Sequence, residues 1–309
     1  MIPQLQCSDL LSIADLQPRE VAALLDLASA LKQGTVRPEF PRKTLGLLFR
    51  KASTRTRVSF SVAMYQLGGA VIDLDPSVTQ VSRGEPIADT ARVLDRYVDI
   101  LAIRTFAQAE LQTFADYCRM PIINALTDWE HPCQALADLL TVQENFGRLQ
   151  GLTLTYVGDG NNVAHSLMLI CALTGVNVRV ACPAEFSPHP EVVTLAQNLA
   201  QGSQVLVTHD PRSAVANAHV VYTDVWASMG QEAEAQNRIP VFQPYQVNPQ
   251  LMALADPEAI VLHCLPAHRG EEITEEVLEG KQSRVWDEAE NRLHVQKALL
   301  VALLSAQRP

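Results

Sequence analysis

The sequence predicts an α/β protein of two doubly wound parallel-sheet domains joined by interdomain helices. Three observations predict it. A strand–turn–helix–strand pattern starts at the apolar run Leu45–Phe49; the same pattern restarts at Leu152–Val157, after the stretch Gly147-Arg148-Leu149-Gln150-Gly151; and 309 residues exceed the usual span of a single domain. That stretch sets the expected boundaries: residues 1–147, residues 148–291, and residues 292–309 as a C-terminal helix packing back on the first domain.

Each element has a local reason. Ser8 to Gln33 carries apolar positions at helical spacing, with Ser12 and Asp15 as caps and Gly34 as a stop. The Leu45–Phe49 strand is followed by a helix from Thr54 to Leu67 that ends at Gly68-Gly69, and then by a strand from Ala70 to Leu74. Asp75 to Pro86 reads as a polar loop, Asp89 to Tyr97 as a helix, and Ile100 to Ile103 as a strand closed by Arg104. A helix at Gln108 to Cys118 leads to a strand at Pro121 to Asn124. Pro132 suits the first turn of a helix running to Phe146, because its missing N–H is not needed there and its φ is already helical. Beyond the boundary come the turn Gly158 to Asn162, a helix from Val163 to Leu173, strands at Val176–Cys182, Val205–Thr208, Val220–Tyr222 and Ile260–His263, and a last helix from Arg292 to Ala306.

Composition narrows the function classes. Nearly half the residues are hydrophobic and 19% are charged, the balance of a globular enzyme. Lys and Arg number 24 against 34 Asp and Glu, a net charge of −10, so nucleic acid and anionic membrane are poor partners and any anion site must be a local concentration of Arg. No apolar run approaches a membrane span, the N-terminus lacks a basic-then-apolar leader, and six cysteines without C-x-x-C spacing suit a reducing compartment; a cytoplasmic location is expected.

Ser53-Thr54-Arg55-Thr56-Arg57 is the densest chemical signal. It places three hydroxyls and two guanidiniums at a helix start, where unpaired N–H groups and the positive dipole end favour an anion and Arg forks grip oxyanions with two hydrogen bonds each. An ordinary Ser/Thr cap is the competing reading. A Walker-type phosphate loop is absent. In open parallel sheets ligands bind at the carboxyl ends of strands, and there also fall Arg104, His131-Pro132-Cys133-Gln134, Asn162, Asp224 to Gly230, and His263 to Gly270. A ligand carrying both a phosphate and a carbonyl would use the first groups: Arg for phosphate oxygens, His131 and Gln134 for the carbonyl. The loop at Asp224 suits an amino acid's ammonium and carboxylate, although Asp224 alone could be a helix cap. Gly158-Asp159-Gly160 is not a dinucleotide fingerprint, and His263, Cys264 and His268 lack zinc-site spacing, so neither cofactor nor metal is expected.

With these residues in hand, the chain resembles the aspartate/ornithine carbamoyltransferase superfamily over its whole length. S-T-R-T-R at Ser53 to Arg57 and H-P-x-Q at His131 to Gln134 carry the resemblance, while D-x-W-x-S-M-G at Asp224 to Gly230 and H-C-L-P at His263 to Pro266 look like the ornithine branch. No aspartate-type R-x-Q-x-E-R follows; Gln231-Glu232-Ala233-Glu234 stands there instead. The resemblance implies a first domain named for carbamoyl phosphate and a carbamoyl phosphate site made of Ser53, Thr54, Arg55, Thr56, Gln80, Arg104, His131 and Gln134, joined by Cys264 and Leu265 at the carbamoyl end and by Arg292, with Gln80 lying at a subunit boundary. It implies a second domain binding L-ornithine through Asn162, Asp224, Ser228 and Met229. Arg55, Arg104, His131, Gln134 and Cys264 would act in catalysis, with Cys264 accepting a hydrogen bond from the δ-amine. The product would be L-citrulline, the setting arginine metabolism, the working unit a homotrimer. Putrescine or an acylated ornithine as acceptor, a non-catalytic anion-binding module, and a nicotinamide dehydrogenase are the alternatives.

Overall fold

In the computed structural model, which describes residues 2–75, 84–227 and 235–306, every strand pairs in parallel with its neighbours. Residues Met1–Ala137 and Asn291–Pro309 form one compact unit and Asp138–Glu290 the other.

The first unit holds α1 (Pro18–Lys32), β1 (Thr44–Phe49), α2 (Thr54–Gln66), β2 (Ala70–Leu74), α3 (Ile87–Leu94), β3 (Ile100–Arg104), α4 (Gln108–Tyr117), β4 (Ile122–Leu126) and the start of α5 (Pro132–Phe146). Its strand order is β2-β1-β3-β4. Strands covered on both faces read as continuous apolar runs, and β1, β3 and β4 are buried almost throughout, whereas the edge strand β2 is largely exposed and carries Asp73. Leu48, Leu101, Ile103, Phe114 and Ile122 pack into one core cluster.

The second unit holds β5 (Thr153–Val157), α6 (Asn162–Thr174), β6 (Asn177–Ala181), α7 (Pro190–Leu199), β7 (Val205–Thr208), α8 (Pro211–Val215), β8 (Val220–Thr223), α9 (Ala235–Phe242), α10 (Pro249–Met252), β9 (Ile260–His263), α11 (Glu275–Leu278) and the start of α12 (Val285–Ser305). The order is β7-β6-β5-β8-β9. Val157, Val221, Val261, Ile273 and Leu278 belong to its core. In each sheet the strand order reverses at one place, between β1 and β3 in the first and between β5 and β8 in the second. At those switch points two crossovers leave in opposite directions and open a space above the strand ends.

Two expectations are corrected. The helix expected from Ser8 begins only at Pro18: Leu10 instead bridges Ile123 of β4 through its N–H and carbonyl, and Ser12 caps a single 3-10 turn at Ile13–Asp15. The last helix starts at Val285, not Arg292. Its early turns carry only one buried apolar residue, Val285, beside the buried polar residues Glu288, Asn291 and Arg292, so no apolar stripe marks them. The units divide inside α5, between Ala137 and Asp138, and inside α12, between Glu290 and Asn291. A continuous helix carries no Gly or Pro to mark such a crossing, whereas the sequence marks 147–151 with two glycines.

Gly160 shows how tightly the turn after β5 is packed. A Cβ there would lie 2.3 Å from Pro188 N and 2.6 Å from Phe186 O, both backbone atoms, and the Gly160 N–H donates to that same carbonyl at 2.8 Å. Gly160→Ala is therefore expected to lower stability by about 1–3 kcal/mol, the usual cost of overpacking. A thermal melt with an unchanged midpoint would refute this.

Candidate active site

The switch point of the first sheet collects its cations. Phe49 ends β1 beside Arg104, its register partner on β3, and a register shift against β4 between Ile103 and Arg104 re-aims the arginine at the strand end. Ser53 caps α2 in extended conformation, its Oγ accepting from Thr56 N–H at 3.3 Å. Thr56 is buried, and its Oγ1 accepts from Arg292 Nη2 at 2.5 Å, while Arg292 Nη1 donates to Gln134 Oε1 at 2.7 Å. One buried guanidinium thus ties α2, α5 and α12 together. Arg55 is half-buried and Thr54 exposed at the helix start.

His131 sits immediately before α5, its carbonyl accepting from Gln134 N–H at 3.0 Å. Burial, and then the guanidiniums of Arg292, Arg104 and Arg55, hold its imidazole well below the ordinary histidine range. It is neutral at physiological pH, a donor at one ring nitrogen only. The turn before it is anchored by Glu130, also buried, whose carboxylate accepts from the Ser12 hydroxyl and the Ile13 N–H.

Arg57 is a correction to the expected pair of phosphate-gripping forks. It forms an ion pair with Asp73 of β2 and lies over the Phe49 ring, 5.2 Å from its centroid. A helix advances about 100° per residue, so Arg55 and Arg57 cannot share a face. Lys51, which no local motif singles out, is buried against the Phe106 ring and paired with Asp128.

In the second unit Asp224 follows β8 and Cys264 follows β9. Asp224 is buried; its Oδ2 accepts from Asn161 Nδ2 at 2.9 Å, and its Oδ1 accepts from Val225 N–H at 2.8 Å and from the Cys264 thiol at 3.0 Å. Asn161 itself caps α6, taking the Val163 and Ala164 N–H groups on Oδ1. Asn162, the residue expected to face a ligand, is half-buried at the first position of α6. Arg238 of α9 donates to Asp159 Oδ2 at 2.8 Å and to the Trp226 carbonyl at 2.9 Å, linking the two loops. Burial and the Asp224 carboxylate raise the Cys264 thiol well above its ordinary value. Cys264 is thus a protonated donor to Asp224.

Leu265, next to Cys264, has a left-handed φ of 56° and precedes a cis proline. His263 faces Glu272 with Nε2, at 3.0 Å, and accepts the Leu265 N–H on Nδ1. Asp224, His263 and Cys264 present potential ligand atoms within 4.8 Å of one another, a grouping that linear spacing does not reveal, but each is hydrogen-bonded within the protein. Gln80, Ser228 and Met229 lie outside the described residues. Within the first unit, hydrogen bonds and charge link Ser53, Arg55, Thr56, Arg104, His131, Gln134 and Arg292; within the second, Asp224 and Cys264 are in direct contact. Lys51, Glu130, Asn161 and Arg238 went unrecognised because only their tertiary partners mark them.

Known proteins match nearly the whole chain. The family described as "Aspartate/ornithine carbamoyltransferase, carbamoyl-P binding domain" matches residues 8–144, and its companion "Asp/Orn binding domain" matches residues 150–303. The chain is 68% identical over 300 residues to an ornithine carbamoyltransferase of Nostoc sp., covering 97% of this chain and 98% of the relative. It is 70% identical over 297 residues to one from Thermosynechococcus vestitus, covering 96% of each. The crystal structure of ornithine carbamoyltransferase from Gloeobacter violaceus superposes with a TM-score of 0.90 at 56% identity, covering 98% of this chain and all of that one.

The depressed His131 value sets a pH dependence. As pH falls below about 6.5, the unfolded chain binds a proton at this residue that the folded chain does not, so stability falls on the acid side by up to about 1.4 kcal/mol per pH unit; above that pH the residue contributes no slope. Denaturant titrations from pH 7.5 to 5 should show a shallower acid loss in His131→Gln. Equal slopes in both proteins would refute it.

Proposed function

The chain belongs to the aspartate/ornithine carbamoyltransferase family, and from that membership we propose that it transfers the carbamoyl group of carbamoyl phosphate to the δ-amine of L-ornithine, giving L-citrulline and phosphate. The observation that carries the reading at the level of the site is the approach of Arg55, Arg104 and Arg292 to one neutral imidazole at a sheet switch point. A phosphate dianion beside a carbonyl answers that arrangement in both charge and shape.

The roles follow from the donors. Ser53, Thr54, Thr56, Arg55 and Arg104 hold the phosphate and take up the charge that grows on it as the C–O bond breaks. Gln134 Oε1 is engaged by Arg292, so the end of this amide able to donate to the carbamoyl oxygen is its NH2. His131, being neutral, donates from one nitrogen to the same oxygen as it becomes the tetrahedral oxyanion. Arg292 orients Thr56 and Gln134 and adds positive charge. Asp224 receives the α-ammonium of ornithine, with Asn161 and Val225 fixing the carboxylate. The attacking δ-amine must be neutral; its solution pKa near 10.4 means that positive surroundings and desolvation have to favour the deprotonated form. The amine attacks the carbonyl carbon, its extra proton passes to the phosphate, and the C–O bond breaks as that phosphate departs; positioning and electrostatics carry the step.

The reading extends to Asn162, Ser228 and Met229 as further ornithine contacts, to Gln80, Cys264 and Leu265 at the carbamoyl end, and to a cytoplasmic homotrimer serving arginine biosynthesis. Family membership supports these, as do six free cysteines, which suit a reducing compartment. Among the described residues no helix is long and apolar enough to cross a membrane.

Citrulline formation from carbamoyl phosphate and ornithine tests the function directly, with putrescine and acetylornithine alongside; preference for either of those would overturn it. Arg55→Gly should lower kcat/KM by about 100-fold or more, the loss expected for a charge-assisted bidentate grip, with an unchanged melting temperature. Wild-type turnover in that variant would remove Arg55 from the site. Asp224→Asn should raise the ornithine KM by about tenfold or more while carbamoyl phosphate affinity holds. Equal loss for both substrates would argue against separate subsites.

A further inference from the structure

Glu288 lies in the first turn of α12, is buried, and belongs to neither substrate's set. Its Oε1 accepts the Tyr222 hydroxyl at 3.2 Å, its Oε2 accepts the His263 N–H at 2.8 Å, and it hydrogen-bonds Asp138 of α5, which is fully buried. The two anchored residues are significant by position. Tyr222 stands two residues before Asp224 on β8, and His263 one residue before Cys264 on β9; these strands are neighbours, with Thr223 in register with His263. A single carboxylate therefore holds both strand ends from which the Cys264–Asp224 contact, 3.0 Å long, projects.

We propose that Glu288, backed by Asp138, is the positioning residue of the amine-binding side of the site: it sets the spacing between Asp224 and Cys264. This rests on the reading of Asp224 as the ornithine carboxylate. Two touching buried carboxylates cannot both ionise cheaply, and burial followed by the Asp138 charge pushes Glu288 well above the ordinary carboxylate range, so the pair holds one proton between them at neutral pH. The shared proton lets one buried acid accept from Tyr222 and His263 while remaining bonded to Asp138. A role in stability alone would not favour one substrate over the other.

Glu288→Met and Glu288→Gln separate the two roles. Methionine keeps the volume and loses both anchors; glutamine keeps an accepting oxygen and a donor for Asp138. Glu288→Met is expected to raise the ornithine KM by about tenfold or more and leave the carbamoyl phosphate KM within about twofold, and Glu288→Gln to restore most of the loss. Ornithine KM at the wild-type value in a folded Met variant, or an equal rise for both substrates, overturns the proposal. A second readout needs no substrate. Iodoacetamide labelling of Cys264, followed by peptide mass spectrometry, should be several-fold faster in Glu288→Met than in wild type or Glu288→Gln, because the thiol loses its set distance to Asp224; an unchanged rate overturns it. If wild type makes no citrulline, the ornithine reading fails and the thiol readout alone decides the positioning role. If Glu288→Met does not fold, Tyr222→Phe, which removes one anchor, should raise both the ornithine KM and the labelling rate, and no change in either overturns the proposal.

Discussion

Arg292 is the interaction on which the anion site depends. Its guanidinium is buried and forks between Thr56 on α2 and Gln134 on α5, so three helices that meet nowhere in the sequence are brought into register by one planar group. Lysine could not do this, having a point charge and no rigid fork. With Arg55 and Arg104 it also keeps His131 neutral. Guanidiniums so gathered repel one another, and the arrangement becomes favourable as a whole when a dianion lies among them.

Buried acids do the complementary work. Glu130 holds the turn before His131 to the N-terminal 3-10 helix, Asp159 holds Arg238 and through it the Trp226 carbonyl, and Glu288 holds the ends of β8 and β9. None of these carboxylates is in an exposed loop offering itself to solvent. Each accepts hydrogen bonds from backbone or side-chain groups within the fold, and each would be costly to leave unpaired. The pattern explains how residues in loops after parallel strands reach the precision that transfer chemistry requires: the strands bring them to one edge, and internal acids fix their angles.

The thiol of Cys264 illustrates the consequence for chemistry. Beside a carboxylate and half-buried, it is held protonated, which makes it a hydrogen-bond donor and a poor nucleophile. Its hydrogen bond within the protein is one it donates to Asp224, in keeping with a transfer that needs no covalent enzyme intermediate.

What could be read along the chain was whatever depends on neighbours in sequence. The buried parallel strands were legible because both faces are covered and their residues run apolar without alternation; Pro132 and Ser53 marked helix starts because capping is local. The anion-gripping chemistry of Ser53 to Arg57 was legible for the same reason. The tertiary structure alone decided which partners those groups meet: Arg57 turned to Asp73, while Arg292, far along the chain, came to Thr56. It alone decided that Asn161 braces Asp224, that Cys264 donates, and that Glu288 anchors two strands. Hydrogen-bond direction and proton sharing depend on which groups meet across the fold, and no spacing within a sequence carries that information.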